Sequence, residues 1–236
     1  MKAVILAAGG HTSIEYMVGT IRHVRRFFPP GSKPKCLYHV DGEVILARTV
    51  RCLREVGIHD IRIVVGYHWK HIADFNSKHK LGLEIVYNPD WEIDAVSSLQ
   101  TGIRDMDDDV LILFGDVIVN TKVIKAFMAR PEPLVRIKLV KRLYRVGEDE
   151  NMIHIVKVAR EKLGIFDKAH EHMERCMKSH AVYDDVSYGT GIALVCALTE
   201  TLRQNEPVSE VLVHPPLKEV DLLVQTDEGK KYWGIK

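Results

Sequence analysis

Met1-Lys2-Ala3-Val4-Ile5-Leu6-Ala7-Ala8-Gly9-Gly10 opens the chain, an apolar run that passes directly into two glycines. A run of this kind reads as a buried strand with a permissive backbone at its carboxyl end, where open α/β sheets place their ligands. Glycine lets backbone N–H groups approach a phosphate with no Cβ in the way. After a delay the chain continues with Lys33-Pro34-Lys35-Cys36-Leu37, and a lysine there can neutralise a bound phosphate. The competing reading is a first core strand that ends in an ordinary turn. Other positions along the chain decide between the two.

The 236 residues allow one sizeable core. Thirty-three basic residues against 32 acidic ones leave a formal charge of +1, which gives no global nucleic-acid footprint. Cys36, Cys52, Cys176 and Cys196 are far apart with no C-x-x-C pair, so neither a zinc site nor a disulfide framework is expected, and a reduced, cytoplasmic setting fits. No apolar stretch reaches the length of a membrane span, and the N-terminus lacks a signal-peptide pattern.

Further along, strand-like and helix-like segments alternate. Strands are expected at Val4–Ala7, Ile61–Val65, Leu83–Tyr87 and Val110–Phe114. Helices are expected on the face running from Val44 to Val56 and stopped by Gly57, at His68–Lys78, at Asp94–Arg104 with Asp94 as cap, and near Lys122–Ala129. The connection over residues 11–34 is long, and its Ile14–Phe28 part is expected to be helical, closed by Pro29-Pro30. Apolar strands alternating with helices predict a Rossmann-like α/β fold, a mostly parallel mixed sheet with helices on both faces. After Pro133 the pattern becomes more antiparallel, with strands at Leu134–Val140, Met152–Val158 and Val211–His214. Helices are expected around Asp167–Lys178 and at Asp227–Trp233, with a core pattern over Gly191–Leu202. No linker divides the chain, so a single domain over 1–236 is expected, with a nucleotide-binding half (1–130) and a smaller acceptor-side half (131–236).

Asp116 is the sharpest single position, because it follows an apolar strand and Gly115 and so emerges at a strand's carboxyl end. A carboxylate there can hold Mg²⁺, which takes few protein oxygens plus substrate phosphates. It can equally be a turn aspartate that caps the next helix. Asp221, after Val220 and the late strand, stands in similar terrain. Lys35 can contact a phosphate and stabilise charge during phosphoryl transfer, or be a solvated turn lysine. Lys218 has the same two readings. Ser97-Ser98-Leu99 lies early in a helix, where hydroxyls and free N–H groups bind a ligand or simply cap. Asp107-Asp108-Asp109 looks like a glycosyltransferase D-x-D run, but it precedes its strand and reads as a solvated turn. His68, His71, His170 and His172 form no metal pattern and read as surface residues.

Taken in order, these pieces resemble the nucleotidyltransferase superfamily that activates phosphorylated small molecules with a nucleoside triphosphate. The resemblance is carried by Leu6-Ala7-Ala8-Gly9, Pro34-Lys35, Asp41-Gly42, Gly57-Ile58, Val64-Val65-Gly66-Tyr67, Tyr87-Asn88-Pro89, Ser98-Leu99, Gly115-Asp116 and Glu219-Val220-Asp221. Asn-Pro followed by Ser-Leu is most similar to the phosphocholine and inositol-phosphate cytidylyltransferases, with the molybdopterin cytidylyltransferase-like and sugar-phosphate branches nearby. The resemblance implies that a triphosphate, CTP by branch, lies over Leu6, Ala7, Ala8, Gly9 and Gly10. It implies that Asp116 and Asp221 hold Mg²⁺ at the α-phosphate and that Lys35 meets the developing charge. Asn88, Ser98 and Gly115 are then nucleotide-side residues, and Tyr188, Gly189 and Lys218 acceptor-side ones. An acceptor phosphate or phosphonate would take the nucleoside monophosphate and release pyrophosphate. The expected partners are the nucleotide and a phosphorylated small molecule, with no nucleic acid or membrane; a homodimer is open.

One segment departs from this pattern. The family places Gly, any residue, Gly, a small residue and Arg directly after the first strand. Here Gly9-Gly10 is followed by His11-Thr12-Ser13, and the next arginine is Arg22. Gly19-Thr20-Ile21-Arg22 is an imperfect, displaced copy of the missing piece, so an insertion is expected, with Arg22 or Arg25 supplying the charge. The same departure suits a nucleotide-binding regulatory protein on this fold. A glycosyltransferase using a nucleotide sugar is a third reading.

Overall fold

A computed structural model of the chain describes residues 1–9, 13–18, 21–26, 33–91, 96–142, 149–168, 171, 209–213 and 218–219. In chain order its strands are β1 (Lys2–Ala7), β2 (Ser13–Val18), β3 (Ile21–Arg26), β4 (His39–Val40), β5 (Glu43–Val44), β6 (Ile61–Val65), β7 (Glu84–Tyr87), β8 (Val110–Phe114), β9 (Val117–Ile118), β10 (Leu134–Arg142), β11 (Asp149–Val158), β12 (Ser209–Val213) and β13 (Lys218–Glu219). Its α-helices are α1 (Ile45–Glu55), α2 (Trp69–Lys78), α3 (Val96–Ile103) and α4 (Thr121–Met128).

The central sheet has seven strands in the order β12-β10-β11-β8-β1-β6-β7. β1 pairs in parallel with β6 on one side and β8 on the other, and β6 pairs in parallel with β7. β11 runs antiparallel to both β8 and β10, while β12 is parallel to β10. The expected mostly parallel mixed sheet is therefore observed, and strands from both halves of the sequence share it.

The side-chain period of a strand sends alternate residues to opposite faces. Ala3 and Ile5 of β1 join one buried cluster, with Leu46, Val50 and Leu53 of α1, Ile72 of α2 and Ile124 and Phe127 of α4. Val4 and Leu6 join the other, with Val96 and Leu99 of α3 and Phe166. α1 and α2 thus cover one face and α3 the other. The chain leaves β1 for β6 and β7 on one side and returns to β8 on the other, so the winding reverses beside β1. Crevices at the carboxyl ends of strands flanking such a reversal are the usual ligand positions of open α/β sheets.

Local chemistry sets the element ends. Gly57 takes φ 88°, and its N–H bonds to Arg54 O while Ile58 N bonds to Leu53 O. That is the Schellman pairing that terminates a helix on a left-handed glycine. Asn120 caps α4, its side chain accepting from Val123 N at 3.0 Å. Gly102 lets α3 lie directly on the sheet; a Cβ there would stand 2.6 Å from Val4 Cγ1 and 2.9 Å from Val64 Cγ2.

The expected helix over Ile14–Phe28 is not formed. β2 and β3 pair antiparallel as a two-stranded ribbon, from Ser13 opposite Arg26 to Val18 opposite Ile21. Ile14, Tyr16 and Val18 repeat at the strand period of two, and Gly19-Thr20 supplies a two-residue connection with glycine first, the composition of a tight hairpin. Arg160–Lys168 is a 3₁₀ segment, so the start of the helix expected at Asp167 falls in a tighter turn. The cap expected at Asp94, the core pattern of Gly191–Leu202 and the helix of Asp227–Trp233 lie outside the described residues.

Candidate active site

β1 delivers Leu6, Ala7, Ala8 and Gly9 to the carboxyl edge of the sheet. Gly9 is exposed, and a Cβ on it would meet nothing within 4 Å. On one side Ala8 O accepts from Tyr67 N at 3.0 Å, tying the end of β1 to the turn after β6. On the other side Gly115 N donates to Leu6 O at 2.8 Å. A Cβ at Gly115 would stand 2.9 Å from Ala7 Cβ and 3.1 Å from Leu6 O, so a side chain would force the two strand ends apart. Glycine at that position seats Asp116 against the end of β1.

Asp116 meets Lys35 there. Lys35 Nζ donates to Asp116 Oδ2 at 3.2 Å, across 81 residues of sequence, with the two side chains 18% and 23% exposed. Pro34 leads into a 3₁₀ turn, Lys35–Leu37, closed by Leu37 N donating to Pro34 O at 2.9 Å. Cys36 and Leu37 are buried in the α1-side core, so the turn is anchored by its apolar residues and holds Lys35 at the crevice. Burial pushes the Cys36 thiol up to about 12, and the negative charge of Asp116 adds to the effect. Lys33, on the other side of Pro34, places its ammonium 5.0 Å from the Tyr38 ring centroid.

β9 begins immediately after Asp116 and pairs antiparallel with β13, with Val117 opposite Glu219 and Ile118 opposite Lys218. Lys218 and Glu219 are thereby brought beside the chain leaving Asp116. Asp221, Gly10, Tyr188 and Gly189 lie outside the described residues. Arg22 and Arg25 fall on β3, where the register sets them on opposite faces of the ribbon: Arg22 pairs with Met17 and Arg25 with Ile14. They cannot serve one phosphate as a pair from a single face.

Asn88 and Ser98 are brought together in the protein interior. Asn88 is 0% exposed; its Nδ2 donates to Ser97 Oγ and Ser98 Oγ at 2.9 Å each, and its Oδ1 accepts from Asp90 N at 3.0 Å. Its backbone N donates to Val65 O at 2.9 Å. This buried amide joins the end of β7 to the first turn of α3, and its polar atoms are satisfied there as burial demands.

Two features escaped the sequence reading. Tyr67 stacks on His68 (centroids 4.0 Å apart, 12° between planes) and meets the edge of Trp91 at 5.7 Å. Trp91 in turn packs over Gly66, where a Cβ would stand 2.4 Å from its side chain. His68 takes φ 47°, an uncommon conformation for a non-glycine residue. An aromatic cluster thus borders the glycine turn; the signal available in the sequence was an aromatic residue directly after a strand-ending glycine. The triple aspartate, by contrast, lies at the opposite edge of the sheet. Asp107 pairs with Lys2 at 2.9 Å and Asp109 O accepts from Lys2 N, both at the amino ends of β1 and β8. The lysine bond holds the Asp107 carboxyl below its usual range.

A mixed sheet whose winding reverses at a glycine-ended strand, with a lysine and an aspartate of distant sequence meeting beside it, is an α/β fold with its ligand crevice at that reversal. Residues 3–177 match the MobA-like NTP transferase domain, and the chain belongs to that family. It is 31% identical over 135 residues to CMP-5'-(3-aminopropyl)phosphonate synthase of Streptomyces rubellomurinus, a match spanning 56% of this chain and 20% of that protein. It is 28% identical over 121 residues to a UTP–glucose-1-phosphate uridylyltransferase of Haloferax volcanii, over 51% of this chain and 45% of that one. Less than half the length of either relative is matched. The fold is shared with the CTP:phosphocholine cytidylyltransferase of Streptococcus pneumoniae (TM-score 0.59, 14% identity, 98% of this chain and 96% of that one). It is also shared with the inositol-1-phosphate CTP transferase of T. maritima (TM-score 0.61, 12% identity, 99% and 94%).

Among the described residues no group of three or more His, Cys, Asp and Glu could hold a metal ion. Asp116 nonetheless offers a hard oxygen donor at a strand end, partly open to solvent, which suits Mg²⁺ completed by substrate phosphates.

Proposed function

We propose that the protein is a Mg²⁺-dependent nucleotidyltransferase that transfers a nucleoside monophosphate, CMP in the favoured case, to a phosphorylated or phosphonate small molecule. The carrying observation is the 3.2 Å Lys35–Asp116 pair at the reversal point beside Gly9. The acceptor oxygen attacks the α-phosphorus, the bond to the bridging oxygen breaks in line, and pyrophosphate leaves with that electron pair. The exposed turn at Gly9 gives the triphosphate access to backbone N–H groups. Lys35 lies against the α-phosphate and offsets charge that grows as the leaving group departs. Asp116 would hold the metal, and Asp221, two residues beyond the Glu219–Val117 pairing, would be its second carboxylate. That ion would neutralise phosphate charge when bound. Asn88 and Ser98 act as positioning residues, fixing where α3 begins relative to β7, and one arginine of β3 meets the phosphates. Tyr188, Gly189 and Lys218 belong to the acceptor side.

The lean to CTP is supported by the matched aminopropylphosphonate relative and by two structural neighbours that use CTP by name. Two free, buried cysteines among the described residues suit a reducing, cytoplasmic setting. No helix of the described residues is long and apolar enough to cross a membrane. The ribbon that replaces a short phosphate loop favours one other reading, a nucleotide-binding regulatory protein. A thermal-shift panel of CTP, UTP, GTP, ATP and dTTP with Mg²⁺, followed by pyrophosphate release over a panel of acceptors, separates the two. Stabilisation by one nucleotide with turnover supports the transferase; stabilisation with no turnover across the panel supports the regulator.

A further inference from the structure

β7 is an edge of the seven-stranded sheet, with β6 on one side and no described strand on the other. Asn88 N donates to Val65 O at 2.9 Å, so Asn88 turns its main-chain groups toward β6. Alternation along the strand gives Glu84 and Val86 the same direction and turns the N–H and C=O of Leu83, Ile85 and Tyr87 outward. Leu83 is already capped: its N donates to Asn76 Oδ1 at 3.0 Å, and its O accepts from Asn76 Nδ2 at 3.2 Å. At the other end Pro89, next in the outward row, has no N–H. The open edge is thus Ile85 and Tyr87, whose outward groups no described residue takes. Sheet edges are usually blunted by lysine, proline, a bulge or a covering element. The register of β7 on β6 is unbroken. The single charge within β7 is Glu84, whose two carboxylate oxygens accept from Arg62 at 3.0 and 2.9 Å. Tyr87 is 48% exposed, and Trp69 of α2, its ring centroid 6.1 Å away, is 40% exposed. They are the exposed large hydrophobic residues of the described part.

We propose that this edge is the contact surface for a second copy of the chain, with the two β7 strands paired antiparallel about a two-fold axis at Val86. One register uses both open residues: Ile85 lies opposite the partner's Tyr87, and Tyr87 opposite the partner's Ile85. Each such pair exchanges both of its main-chain bonds. Centring the axis on Ile85 would set Tyr87 against a capped Leu83, and centring it on Tyr87 would set Ile85 against Pro89. Ile85 and Tyr87 share one face of the sheet, where Ile85 packs on the α1–α2 core, so each pair brings a β-branched side chain to an aromatic one. Glu84 falls opposite an uncharged asparagine, and no like charges oppose. A longer extended peptide gains nothing from an edge closed at both ends, whereas the open window is its own complement. Such a contact is isologous and closes at two copies. The strand is short and buries little area, so the dimer is weak and depends on concentration. This inference stands apart from the nucleotidyltransferase reading.

Sedimentation velocity of the full chain over about a hundredfold range of concentration should show monomer passing into dimer. Tyr87→Lys sets a charge on the edge, and Tyr87→Pro removes an outward N–H while sparing the bonds to β6. Each should weaken association about tenfold or more. Val86→Cys should form an intermolecular disulfide on mild oxidation, because opposed residues of a non-hydrogen-bonded pair stand about 4.5 Å apart at Cα. Glu84→Cys and the unsubstituted chain should form none under the same conditions. A chain that stays monomeric across the range overturns the proposal, and so does a dimer that both Tyr87 variants leave intact. Cross-linking of Glu84→Cys as readily as Val86→Cys overturns the register.

Discussion

The Lys35–Asp116 contact joins two partly buried charges, each supplied by a backbone built to deliver it: the Pro34-led 3₁₀ turn for the lysine and the cramped Gly115 for the aspartate. Asp116→Ala should abolish pyrophosphate release, and Asp116→Asn, which keeps the shape without the charge, should come close to it. Lys35→Ala removes one donor aimed at developing charge and should lower kcat/KM by about 10²–10³. Cys36 gives a pH prediction. Its thiol titrates near 12 in the folded protein against 9.0 for the free group. Above pH 9 the unfolded chain sheds that proton while the native state keeps it, so stability should fall as pH climbs from 9 toward 12. Urea midpoints measured at steps across that range should show the fall, and Cys36→Ala should flatten it. Lys35 and Asp116 were legible from sequence because each follows a pattern that fixes the local backbone. Their 3.2 Å meeting was not, since 81 residues of chain separate them.

At the scale of elements, the Asn88 amide is the joint between β7 and α3. Asn88→Ala would remove the amide that donates to the buried Ser98 hydroxyl, a loss of about 1–3 kcal/mol. Gly102→Ala would press a methyl group between Val4 and Val64, at about 1–3 kcal/mol. Both should appear as lower urea midpoints with little change in slope. The strands β1, β6 and β8 were readable because buried parallel strands are short apolar runs bounded by glycine, and the half-exposed edge strand β7 because it ends at Asn88-Pro89. The ribbon stands where a helix is expected over Ile14–Phe28. Pro29-Pro30 after it suggest the end of a helix, while the deciding signal, Gly19-Thr20 between two alternating runs, is only two residues long. Asn88 and Ser98 were picked out from the sequence, but for a ligand; that their polar groups face each other depends on the packing of α3 on the sheet.

Across the molecule, one seven-stranded sheet positions the crevice. β1 sits near its middle, flanked by the two strands whose ends supply Tyr67 and Gly115-Asp116, and the winding reverses there. This much followed from the alternation of apolar and amphipathic segments. That β8 would join the antiparallel strands after Pro133 and so tie both halves into one sheet did not, because edge-to-edge pairing leaves no local mark in a sequence. In the function proposed above, this crevice transfers a nucleotide. Pyrophosphate should therefore be released when the protein, Mg²⁺ and CTP meet phosphate- and phosphonate-bearing acceptors, with release dependent on the acceptor and abolished in Asp116→Ala. Release that persists unchanged in a folded Asp116→Ala protein would contradict that function.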